Sequence, residues 1–360
     1  MNVLVNDVAA DSSGALSVLM DFYREVINSN EDTLQWYFVV SIPQLLEYKN
    51  VHVSRYPWVK KSWLHRLFFE YFVIPRIIRR NNIKCLVSLQ NTSTVFKRVL
   101  TILYIHQSLP FSSYRFKFYK NPKLWIYQNI IGKLIKKSIK KANIVITQTE
   151  TMREECAKYS LPNSEKFRVI SPNLSIEPKD HFKPSKENLR VFFYPATPLN
   201  YKNHALIIEA FSKLSDSDIQ DYQVIFTFER DDTRLTKRLY KKAEKLKVPI
   251  ELVGHLSRER VFDYYCKSIL LFPSFIESYP LPLYEGMLHK TIIIAADCEF
   301  SREILGGYPN AYYFDPSSSE SLLKILELLY TEKIEYQEHF DPLIEEKRSS
   351  LVTKIRSLLD

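Results

Sequence analysis

Short apolar runs alternate with longer amphipathic segments along the first half of the chain. The runs predict strands at Asn2–Val5, Trp36–Val40, Ile83–Ser88, Leu100–Ile105 and Asn143–Thr147. Apolar residues recur at helical spacing in Ala15–Val26, which predicts an amphipathic helix after the first strand. Strands that alternate with helices in this way indicate an α/β fold built on a parallel sheet.

The same alternation restarts after a polar, proline-bearing stretch, Ile176–Lys186, which we interpret as a linker. Further strands are predicted at Leu189–Tyr194, Gln223–Phe228, Glu251–Val253, Ile269–Phe272 and Thr291–Ala295. A final helix is predicted to begin at the capping pair Asp341-Pro342. The pattern therefore predicts two doubly wound domains with a cleft between them, residues 1–178 and 179–340, followed by a helix over 341–360.

Glycine is scarce, with only six residues in a chain of 360. A GxGxxG dinucleotide fingerprint and a P-loop both need clustered glycines, because the backbone must wrap a phosphate. Neither pattern is present, which disfavours nicotinamide-dependent dehydrogenases, P-loop NTPases and kinases. The four cysteines show no CxxC spacing, so we expect neither a zinc site nor a disulfide framework.

Charge is distributed unevenly along the chain. Residues 1–180 contain 26 Lys and Arg against 14 Asp and Glu, whereas the remainder contains 24 against 27. This asymmetry predicts a basic surface on the first half that faces nucleic acid, a membrane or an acidic substrate. The apolar runs are too short to cross a bilayer, and the first residues lack the basic region of a signal peptide, so we expect a soluble, cytoplasmic protein.

Candidate binding residues lie in predicted strand-to-helix turns, because ligands of open parallel sheets bind beyond the carboxyl ends of the strands. One such turn, Asp11–Gly14, contains Ser13 and Gly14, where the absence of a Cβ lets the backbone approach a phosphate. Another places Lys202 just before a helix, where a cation and the helix N-terminus together attract a diphosphate.

A third turn, Pro273–Met287, follows an apolar strand and carries two glutamates eight positions apart. Glu277-x7-Glu285 resembles the EX7E signature of retaining GT-B glycosyltransferases of family 4, within glycosyl transferases group 1. Other segments resemble motifs of this family, in the same order along the chain: Gly14, Ser171-Pro172-Asn173, Leu252–Ser257, Ala295-Ala296-Asp297 with Glu303, and Tyr313–Pro316. The resemblance covers most of the chain.

The resemblance implies a GT-B fold, in which two Rossmann-like domains face each other across a cleft and the C-terminal helix returns to the first domain. Leu351, Ile355 and Leu358 of that helix are then expected to be buried. It also implies transfer of a sugar from a nucleotide-sugar donor, with retention of anomeric configuration and without a metal or other cofactor. The implied acceptor is a glycan or a lipid-linked glycan in surface polysaccharide biosynthesis.

The resemblance assigns roles to the residues of these turns. Lys202 would neutralise the charge that develops on the leaving diphosphate, which is preorganised electrostatic stabilisation. Glu277 would orient the hydroxyls of the donor sugar, and Glu285 would accept hydrogen bonds from the ribose hydroxyls of the nucleotide. Ser13 and Gly14 match the N-terminal glycine loop and are expected to contact the donor.

Further expectations concern backbone donors and a histidine. The backbone N–H groups of Tyr279 and Leu281 would contact the sugar or phosphate, although a proline between them replaces a glycine of the family and removes one donor. His106 matches a histidine that lies near the reacting sugar. The family usually carries an arginine at the position of Thr197, and Arg230 is the nearest candidate to supply that second charge.

Two alternative functions remain open on the sequence alone. A basic, aromatic-rich first half suits a nucleic-acid-binding protein, but no RNP, KH or helix-turn-helix pattern is present, and we expect no nucleic-acid partner. A catalytically weak GT-B scaffold would explain Thr197, whereas retention of the lysine and both glutamates argues against it. The DxD-like Asp216-Ser217-Asp218 lies on a polar loop and is interpreted as a solvated turn.

Two basic stretches predict contact with an anionic membrane surface, and the resemblance implies a peripheral location on its cytoplasmic face. Phe111–Lys141 contains nine basic residues and no acidic one, with Trp125, Ile126, Ile130, Leu134 and Ile135 interleaved at helical spacing. Arg55–Arg80 contains seven basic residues and one glutamate among several aromatic side chains. Such mixtures suit an interfacial helix on anionic lipid. In the alternative interpretation, the apolar residues pack into the domain core.

Overall fold

The chain forms two compact units, one made of Met1–Asn173 and Lys347–Asp360, the other of Leu174–Glu346. The structure is a computed structural model and describes residues 1–10, 13–29, 33–160, 165–172, 176–215, 221–331, 334–338 and 350–359. Each unit is built on a parallel sheet in which most successive strands are joined through helices. The predicted α/β class with two Rossmann-like, doubly wound units is confirmed.

Unit 1 contains a seven-stranded parallel sheet with the order β3-β2-β1-β4-β5-β6-β7. Its strands are β1 Asn2–Asp7, β2 Gln35–Val40, β3 Val51–Arg55, β4 Cys85–Ser88, β5 Leu100–Ile105, β6 Ile144–Thr147 and β7 Phe167–Val169. The sequence pattern missed the two outermost strands. β3 ends in exposed polar residues and β7 has three residues, so neither forms the continuous apolar run of a strand buried on both faces.

The helices of unit 1 are α1 Ser13–Asn28, α2 Trp63–Phe68, α3 Ile74–Arg80, α4 Pro122–Ile126, α5 Gly132–Lys141 and α6 Glu150–Ala157. A π-helical turn, Phe69–Val73, joins α2 to α3, and a second one, Tyr127–Ile131, joins α4 to α5. The connection from β4 to β5, Leu89–Val99, contains no helix.

Unit 2 contains a six-stranded parallel sheet with the order β10-β9-β8-β11-β12-β13. Its strands are β8 Val191–Tyr194, β9 Gln223–Phe226, β10 Ile250–Leu252, β11 Ile269–Phe272, β12 Ile293–Ala296 and β13 Ala311–Phe314. Its described helices are α7 His204–Phe211, α8 Arg234–Lys245, α9 Arg258–Tyr265, α10 Leu281–Leu288, α11 Glu299–Leu305 and α12 Ser319–Tyr330. The central strands β11 and β12 are fully buried, as their apolar runs predict.

The last described helix, α13 Leu351–Ser357, packs on α1 of unit 1, so the expected return of the C-terminal helix is confirmed. Ile355 is fully buried in the core around β1 and β2, and Leu351 packs beside it with partial exposure. The backbone N–H of Val352 donates to Glu25 Oε2 at 3.1 Å. Leu358 stays half-exposed, and the predicted start of the helix, residues 341–349, lies outside the described residues.

Candidate functional site

The strand order of unit 2 reverses between β8 and β11, which makes their carboxyl ends a topological switch point. Crevices at such points are the usual ligand sites of open α/β sheets. After β8 the chain forms a short 3-10 turn, Asn200–Lys202. The loop after β11 is fastened to this turn, because the N–H of Phe275 and the hydroxyl of Ser274 both donate to the carbonyl oxygen of Tyr201, at 3.1 and 3.3 Å.

Lys202 and Glu277 meet at this switch point. Lys202 Nζ lies 2.5 Å from Glu277 Oε1, although 75 positions separate the two residues in the sequence. Their side chains are 19% and 13% exposed, so the ion pair is largely desolvated but reachable from solvent. The Tyr194 hydroxyl, at the end of β8, donates to the backbone carbonyl of Lys202 at 3.0 Å and holds the turn in place. The structure thus brings together two of the predicted site residues.

Glu285 lies on α10, the helix that follows the loop of Glu277, and its carboxylate is buried. Both carboxylate oxygens accept hydrogen bonds from α9, one from the Tyr265 hydroxyl at 3.1 Å and the other from Arg258 Nη2 at 3.2 Å. Burial raises the pKa of Glu285, and the nearby Arg258 guanidinium opposes that shift. The arrangement holds a buried carboxylate in one orientation at the edge of the site.

Arg258 and Tyr265 are site residues that the sequence analysis missed. A buried carboxylate needs a hydrogen-bonded or charged partner, since an unpaired one is costly to desolvate. The segment Leu252–Ser257 had been matched to a family motif, and Arg258 is the first residue of the helix that follows it. An arginine that opens the helix after a family motif is the sequence signal that points to a partner for a buried Glu285.

Gly286 lets α10 approach the sheet closely. A Cβ at this position would lie 2.8 Å from Leu270 Cδ2 on β11 and 3.3 Å from Ile293 Cδ1 on β12. The glycine next to Glu285 therefore fixes the distance between the helix that carries this carboxylate and the two strands beneath it.

The loop between Glu277 and α10 contains a tight turn at Pro280, whose φ and ψ are −79° and 82°. These angles are those of an inverse γ-turn, and the N–H of Leu281 accordingly donates to the carbonyl oxygen of Tyr279 at 3.0 Å. The Leu281 N–H is thus already used within the loop. Its predicted contact with the donor requires that this N–H be shared or that the turn open, and together with the contact of Tyr279 it stays a prediction.

Arg230 lies in the turn after β9, the neighbour of β8 in the sheet. Its guanidinium carbon lies 4.3 Å from the ring centre of Tyr240 on α8, so the side chain stacks on the helix that follows the turn. The backbone carbonyl of Arg230 accepts a hydrogen bond from the Thr236 hydroxyl at 2.8 Å, which ties the turn to the first turn of α8. That Arg230 supplies the second positive charge of the site stays a prediction.

His106 follows β5 in unit 1 and is held by the loop after β4. Its Nε2 lies 2.9 Å from the carbonyl oxygen of Leu89 and 3.0 Å from Asn91 Nδ2, and its backbone N–H donates to Asn91 Oδ1 at 2.8 Å. Burial lowers the pKa of His106, which favours the neutral ring. A neutral imidazole with its proton on Nε2 donates to Leu89 and fastens this loop to the end of β5. Its predicted place near a reacting sugar stays a prediction.

Ser13 and Gly14 are the first two residues of α1, so the helix begins earlier than the predicted Ala15. The free N–H groups of a first helical turn point away from the helix body and attract anions. Asp11 and Ser12, which complete the predicted turn, lie outside the described residues, as do Asn173 and the Asp216-Ser217-Asp218 sequence.

The two basic stretches of unit 1 differ in where their apolar side chains lie. In the stretch that ends in α5, Ile135 and Ile139 are fully buried, while Ile126 and Ile130 are exposed. In the stretch around α2, six large apolar residues are exposed: Trp63, Leu64, Leu67, Phe68, Tyr71 and Phe72. The core-packing alternative therefore holds for much of α5 and for Phe69 of the π turn, whereas α2 has no buried residue.

Clustered metal ligands and membrane-spanning helices are both absent from the described part of the chain. Within it, no group of three or more His, Cys, Asp or Glu side chains is arranged to hold a metal ion. None of its helices is long and apolar enough to cross a bilayer.

The sequence that contains this site is similar to known enzymes. Residues 176–347 match the family model described as "Glycosyl transferases group 1", a range that includes Lys202, Glu277 and Glu285. The chain is also 25% identical over 286 residues to the O-antigen chain mannosyltransferase RfbU of Salmonella typhimurium, which covers 79% of this chain and 74% of that protein.

Solved structures resemble the whole chain at low sequence identity. The lipopolysaccharide outer core galactosyltransferase WaaB, in its apo form, superimposes with a TM-score of 0.67 at 14% identity, covering 94% of this chain and 92% of that one. HepE from Anabaena, in complex with UDP and glucose, gives a TM-score of 0.63 at 14% identity, with coverages of 92% and 90%. The glycosyltransferase WaaG, involved in lipopolysaccharide biosynthesis, gives 0.64 at 12% identity, with coverages of 92% and 91%.

Proposed function

We propose that this chain is a retaining GT-B glycosyltransferase of glycosyl transferases group 1, which moves a sugar from a nucleotide-sugar donor to a glycan or lipid-linked acceptor in surface polysaccharide synthesis. The observation that carries the proposal is the Lys202–Glu277 ion pair at the switch point of unit 2. The relatives support it, because RfbU is named as an O-antigen mannosyltransferase and HepE is seen with UDP and glucose.

Lys202 has the position and charge to stabilise the leaving group. In the reaction the bond between the anomeric carbon and the diphosphate breaks, and an acceptor hydroxyl forms the new bond to that carbon and passes its proton to an oxygen of the leaving diphosphate. The departing nucleoside diphosphate gains negative charge, which an ammonium in a largely water-excluded site stabilises far more strongly than one in water. Donor binding exchanges Glu277 for the diphosphate as the partner of Lys202, and this frees the carboxylate to accept hydrogen bonds from sugar hydroxyls.

Glu285 is suited to hold the nucleoside end of the donor. Each carboxylate oxygen can accept about two hydrogen bonds, and Tyr265 and Arg258 supply one to each. The remaining acceptor capacity fits the two hydroxyls of a ribose. Because the carboxylate is already oriented by α9, little conformational entropy is lost when the ribose binds.

A panel of nucleotide-sugars tests the proposed function. Since a ligand that binds only the folded state adds RT ln(1 + [L]/Kd) to the free energy of unfolding, a donor at about 100 Kd stabilises unit 2 by ~2.7 kcal/mol. The same panel is assayed for slow donor hydrolysis without acceptor. Lys202→Ala is assayed beside the wild-type protein. Its matched control is Lys213→Ala, because Lys213 is another lysine of unit 2 that is paired with a glutamate, Glu320. A panel in which no donor stabilises or is hydrolysed would contradict the proposal.

We further propose that this transfer needs no metal ion, because Lys202 supplies the positive charge that a metal provides elsewhere. Turnover is then expected to be unchanged in excess EDTA. Loss of turnover on chelation, with recovery on addition of Mg²⁺ or Mn²⁺, would overturn this part of the proposal.

The exposed apolar face of α2 and its π turn supports a peripheral location on the cytoplasmic face of a membrane. Leu64, Phe68 and Phe72 are 77%, 50% and 54% exposed, and the basic side chains of Arg76, Arg79 and Arg80 follow them on α3. An apolar face beside basic residues suits the interface of an anionic bilayer, where each cation adds about 1 kcal/mol.

Sedimentation with vesicles tests this location. Binding is expected to be stronger to phosphatidylglycerol-containing vesicles than to phosphatidylcholine vesicles and to weaken in high salt. The double variant Leu64→Glu with Phe68→Glu is expected to lose binding, while Ile126→Glu with Ile130→Glu, placed in the other basic stretch, retains more of it. No sedimentation of the wild-type protein at low salt would contradict the proposal.

A further inference from the structure

The connection from β4 to β5 leaves a groove above one face of the sheet in unit 1, although the strands beneath it stay buried. Parallel neighbours are normally joined through a helix that covers the sheet, yet Leu89–Val99 crosses without one. Right-handed crossovers place the connections β3–β4, β4–β5 and β5–β6 on the same face, so the missing helix would have lain between α2–α3 and α5. A groove of about 180 Å³ occupies that place and is lined by residues from α2, the π turn after it, α5 and residues 92–96.

The floor of this groove is fixed by hydrogen bonds on both sides. The N–H of Ser93 donates to the Ser138 hydroxyl at 3.0 Å, and that hydroxyl also lies 3.2 Å from the Ser93 carbonyl oxygen. On the other side, the Thr94 hydroxyl donates to Glu70 Oε2 at 3.2 Å, and Arg66 Nη2 donates to Gln90 Oε1 at 3.1 Å. Glu70 is buried, so the floor contains a polar group that is satisfied from within. These hydrogen bonds hold residues 92–96 in place at the floor of the groove.

The walls of the groove combine apolar surface with positive charge. Trp63, Leu67 and Tyr71 line it from one side, are partly exposed and continue into the apolar face of α2. On the opposite side Lys137 and Lys141, one helical turn apart, line it from α5. Neither lysine has a carboxylate partner among the residues that the structure describes. Two uncompensated cations beside an apolar wall match an amphiphile with an anionic head.

We propose that this groove binds the phosphate-bearing end of a single-chain lipid, and that this lipid carries the acceptor glycan, an inference that rests on the proposed function. A cavity of about 150 Å³ holds one benzene, so a groove of about 180 Å³ holds a phosphate with the first carbons of one chain, and the rest of that chain would lie along the apolar face of α2. Asn91, which holds His106, directly precedes the floor segment that begins at Thr92. The groove therefore adjoins the loop of the histidine that is predicted to lie near the reacting sugar.

Decyl phosphate, used below its micellar concentration, is the binding probe, and calorimetry measures its affinity. Lys137→Ala with Lys141→Ala is expected to weaken binding at least tenfold, since a hydrogen bond to a charged group contributes about 1.5–3 kcal/mol. Lys133→Ala with Lys140→Ala removes the same charge from exposed positions of the same helix that do not line the groove, and binding is expected to change less than threefold. Equal losses in the two double variants, or no loss in the first, would overturn the assignment.

A second pair of variants tests the shape of the groove. Leu134→Trp fills it from α5 and is expected to abolish decyl phosphate binding, whereas Ile130→Trp places the same side chain one turn earlier, outside the lining, and is expected to leave binding unchanged. Far-UV circular dichroism checks that both variants fold. Unchanged binding to folded Leu134→Trp would show that the lipid lies elsewhere.

The source of the lipid is distinguished by competition. Farnesyl diphosphate, with one chain on a diphosphate, is expected to displace decyl phosphate at least tenfold more effectively than dihexanoyl phosphatidylglycerol, which has two chains. Equal displacement by the two would identify a site for bulk membrane lipid and overturn the acceptor assignment. Inorganic phosphate lacks the hydrocarbon chain and decanol lacks the anionic head, so each is expected to compete weakly.

Donor hydrolysis separates this inference from the proposed function. If the enzyme hydrolyses a nucleotide-sugar and Lys137→Ala with Lys141→Ala leaves that hydrolysis unchanged while raising the KM for a lipid-linked acceptor, both stand. If hydrolysis proceeds but the groove variants leave the acceptor KM unchanged, the groove assignment fails and the proposed function survives. An enzyme that hydrolyses no donor contradicts the proposed function first.

Discussion

The connections from β4 to β5 and from β11 to β12 occupy the same position in the two sheets, but they are built in opposite ways. In unit 2 the connection contains the loop of Glu277 and then α10, which covers the sheet and carries Glu285. In unit 1 it contains no helix, and a groove between α2 and α5 lies above strands that stay buried. The comparison teaches that one topology serves two kinds of recognition: a polar loop with a buried carboxylate in unit 2, and an open, apolar groove edged by lysines in unit 1.

The charged side chains at the two switch points also differ in their exposure. The switch point of unit 2 lies between β8 and β11, and that of unit 1 lies between β1 and β4. In unit 2, Lys202 and Glu277 form an ion pair that solvent can reach. In unit 1, Asp7 at the end of β1 is buried with Oδ2 lacking a hydrogen-bond partner, and Glu70 is enclosed by Asn6 and Gln90. Burial raises the pKa of Asp7 to about 7 and also raises that of Glu70. Among the residues that the structure describes, these two carboxyl groups of unit 1 are thus enclosed by protein, whereas the ion pair of unit 2 is reachable from solvent.

The largest expected effect is on catalysis, and it tests the assignment of donor chemistry to unit 2. Lys202→Ala and Glu285→Ala are each expected to lower the transfer rate by about 10²–10³, because each removes a preorganised polar contact worth ~2.7–4 kcal/mol. Steady-state kinetics with the identified donor measures this rate. Glu70→Gln, at the switch point of unit 1, is the comparison variant. A rate loss in Glu70→Gln as large as that in Lys202→Ala would break the contrast between the two switch points.

The next effect concerns the stability of unit 1 and its dependence on pH. A carboxyl whose pKa is raised in the folded state binds its proton more tightly there, so the stability that it contributes falls as pH rises from its ordinary value near 4 to about 7. Asp7→Asn removes this loss, and the variant is expected to gain about 3 kcal/mol relative to wild type between pH 5 and pH 8.

Tryptophan fluorescence measures this gain without interference from unit 2, because all four tryptophans, Trp36, Trp58, Trp63 and Trp125, lie in unit 1. Urea denaturation is run at both pH values. A difference between Asp7→Asn and wild type that is the same at pH 5 and pH 8 would show that Asp7 is ionised in the folded protein.

A smaller effect tests the close packing of α10. Gly286→Ala places a methyl group 2.8 Å from Leu270 Cδ2 and is expected to cost about 1–3 kcal/mol of unit 2 stability through overpacking. Because Glu285 is the neighbouring residue, donor affinity is expected to fall as well. Gly306→Ala, whose closest contact would be the backbone oxygen of Arg302 at 3.2 Å, is the control for affinity. Unchanged donor affinity in Gly286→Ala would show that the position of Glu285 tolerates a shift of the helix.

The smallest effect tests the fixed floor of the groove. Ser138→Ala removes the hydroxyl that accepts from the Ser93 N–H, and it is expected to destabilise unit 1 by about 1 kcal/mol. Amide hydrogen exchange is expected to quicken at residues 92–96 and not in β4. Unaltered exchange across this segment would mean that Glu70 and Arg66 hold it without the help of α5.

Most of the fold could be predicted because the central strands are buried on both faces. Runs such as Ile269–Phe272 and Leu100–Ile105 are apolar throughout, and such runs stand out from the polar turns around them. The edge strand β3 escaped prediction because only one of its residues is fully buried. The helix-free connection between β4 and β5 was likewise not anticipated, since a polar segment of eleven residues gives no sign of what covers the sheet.

The candidate site was predictable where residues are linked by motif and not where they are linked by contact. Glu277 and Glu285 share one turn, so their spacing identified them, and Lys202 followed from its place before a helix. The pairing of Lys202 with Glu277 across 75 residues depends on which strands become neighbours, and so does the support of Glu285 by Arg258. Glu70 lies within a basic stretch whose pattern predicts either a membrane surface or core packing of its apolar residues, and neither interpretation gives Glu70 a role, because its burial depends on contacts with β1 and the loop after β4.

The return of α13 to unit 1 has a consequence for synthesis of the chain on the ribosome. Val352 and Ile355 complete the core around β1 and β2, but they are translated only after all of residues 174–346. Unit 2, although second in the sequence, is therefore the first whose residues are all available to fold. A nascent chain arrested before α13 leaves the apolar surface of α1 bare, and an exposed patch of this kind is what chaperones bind.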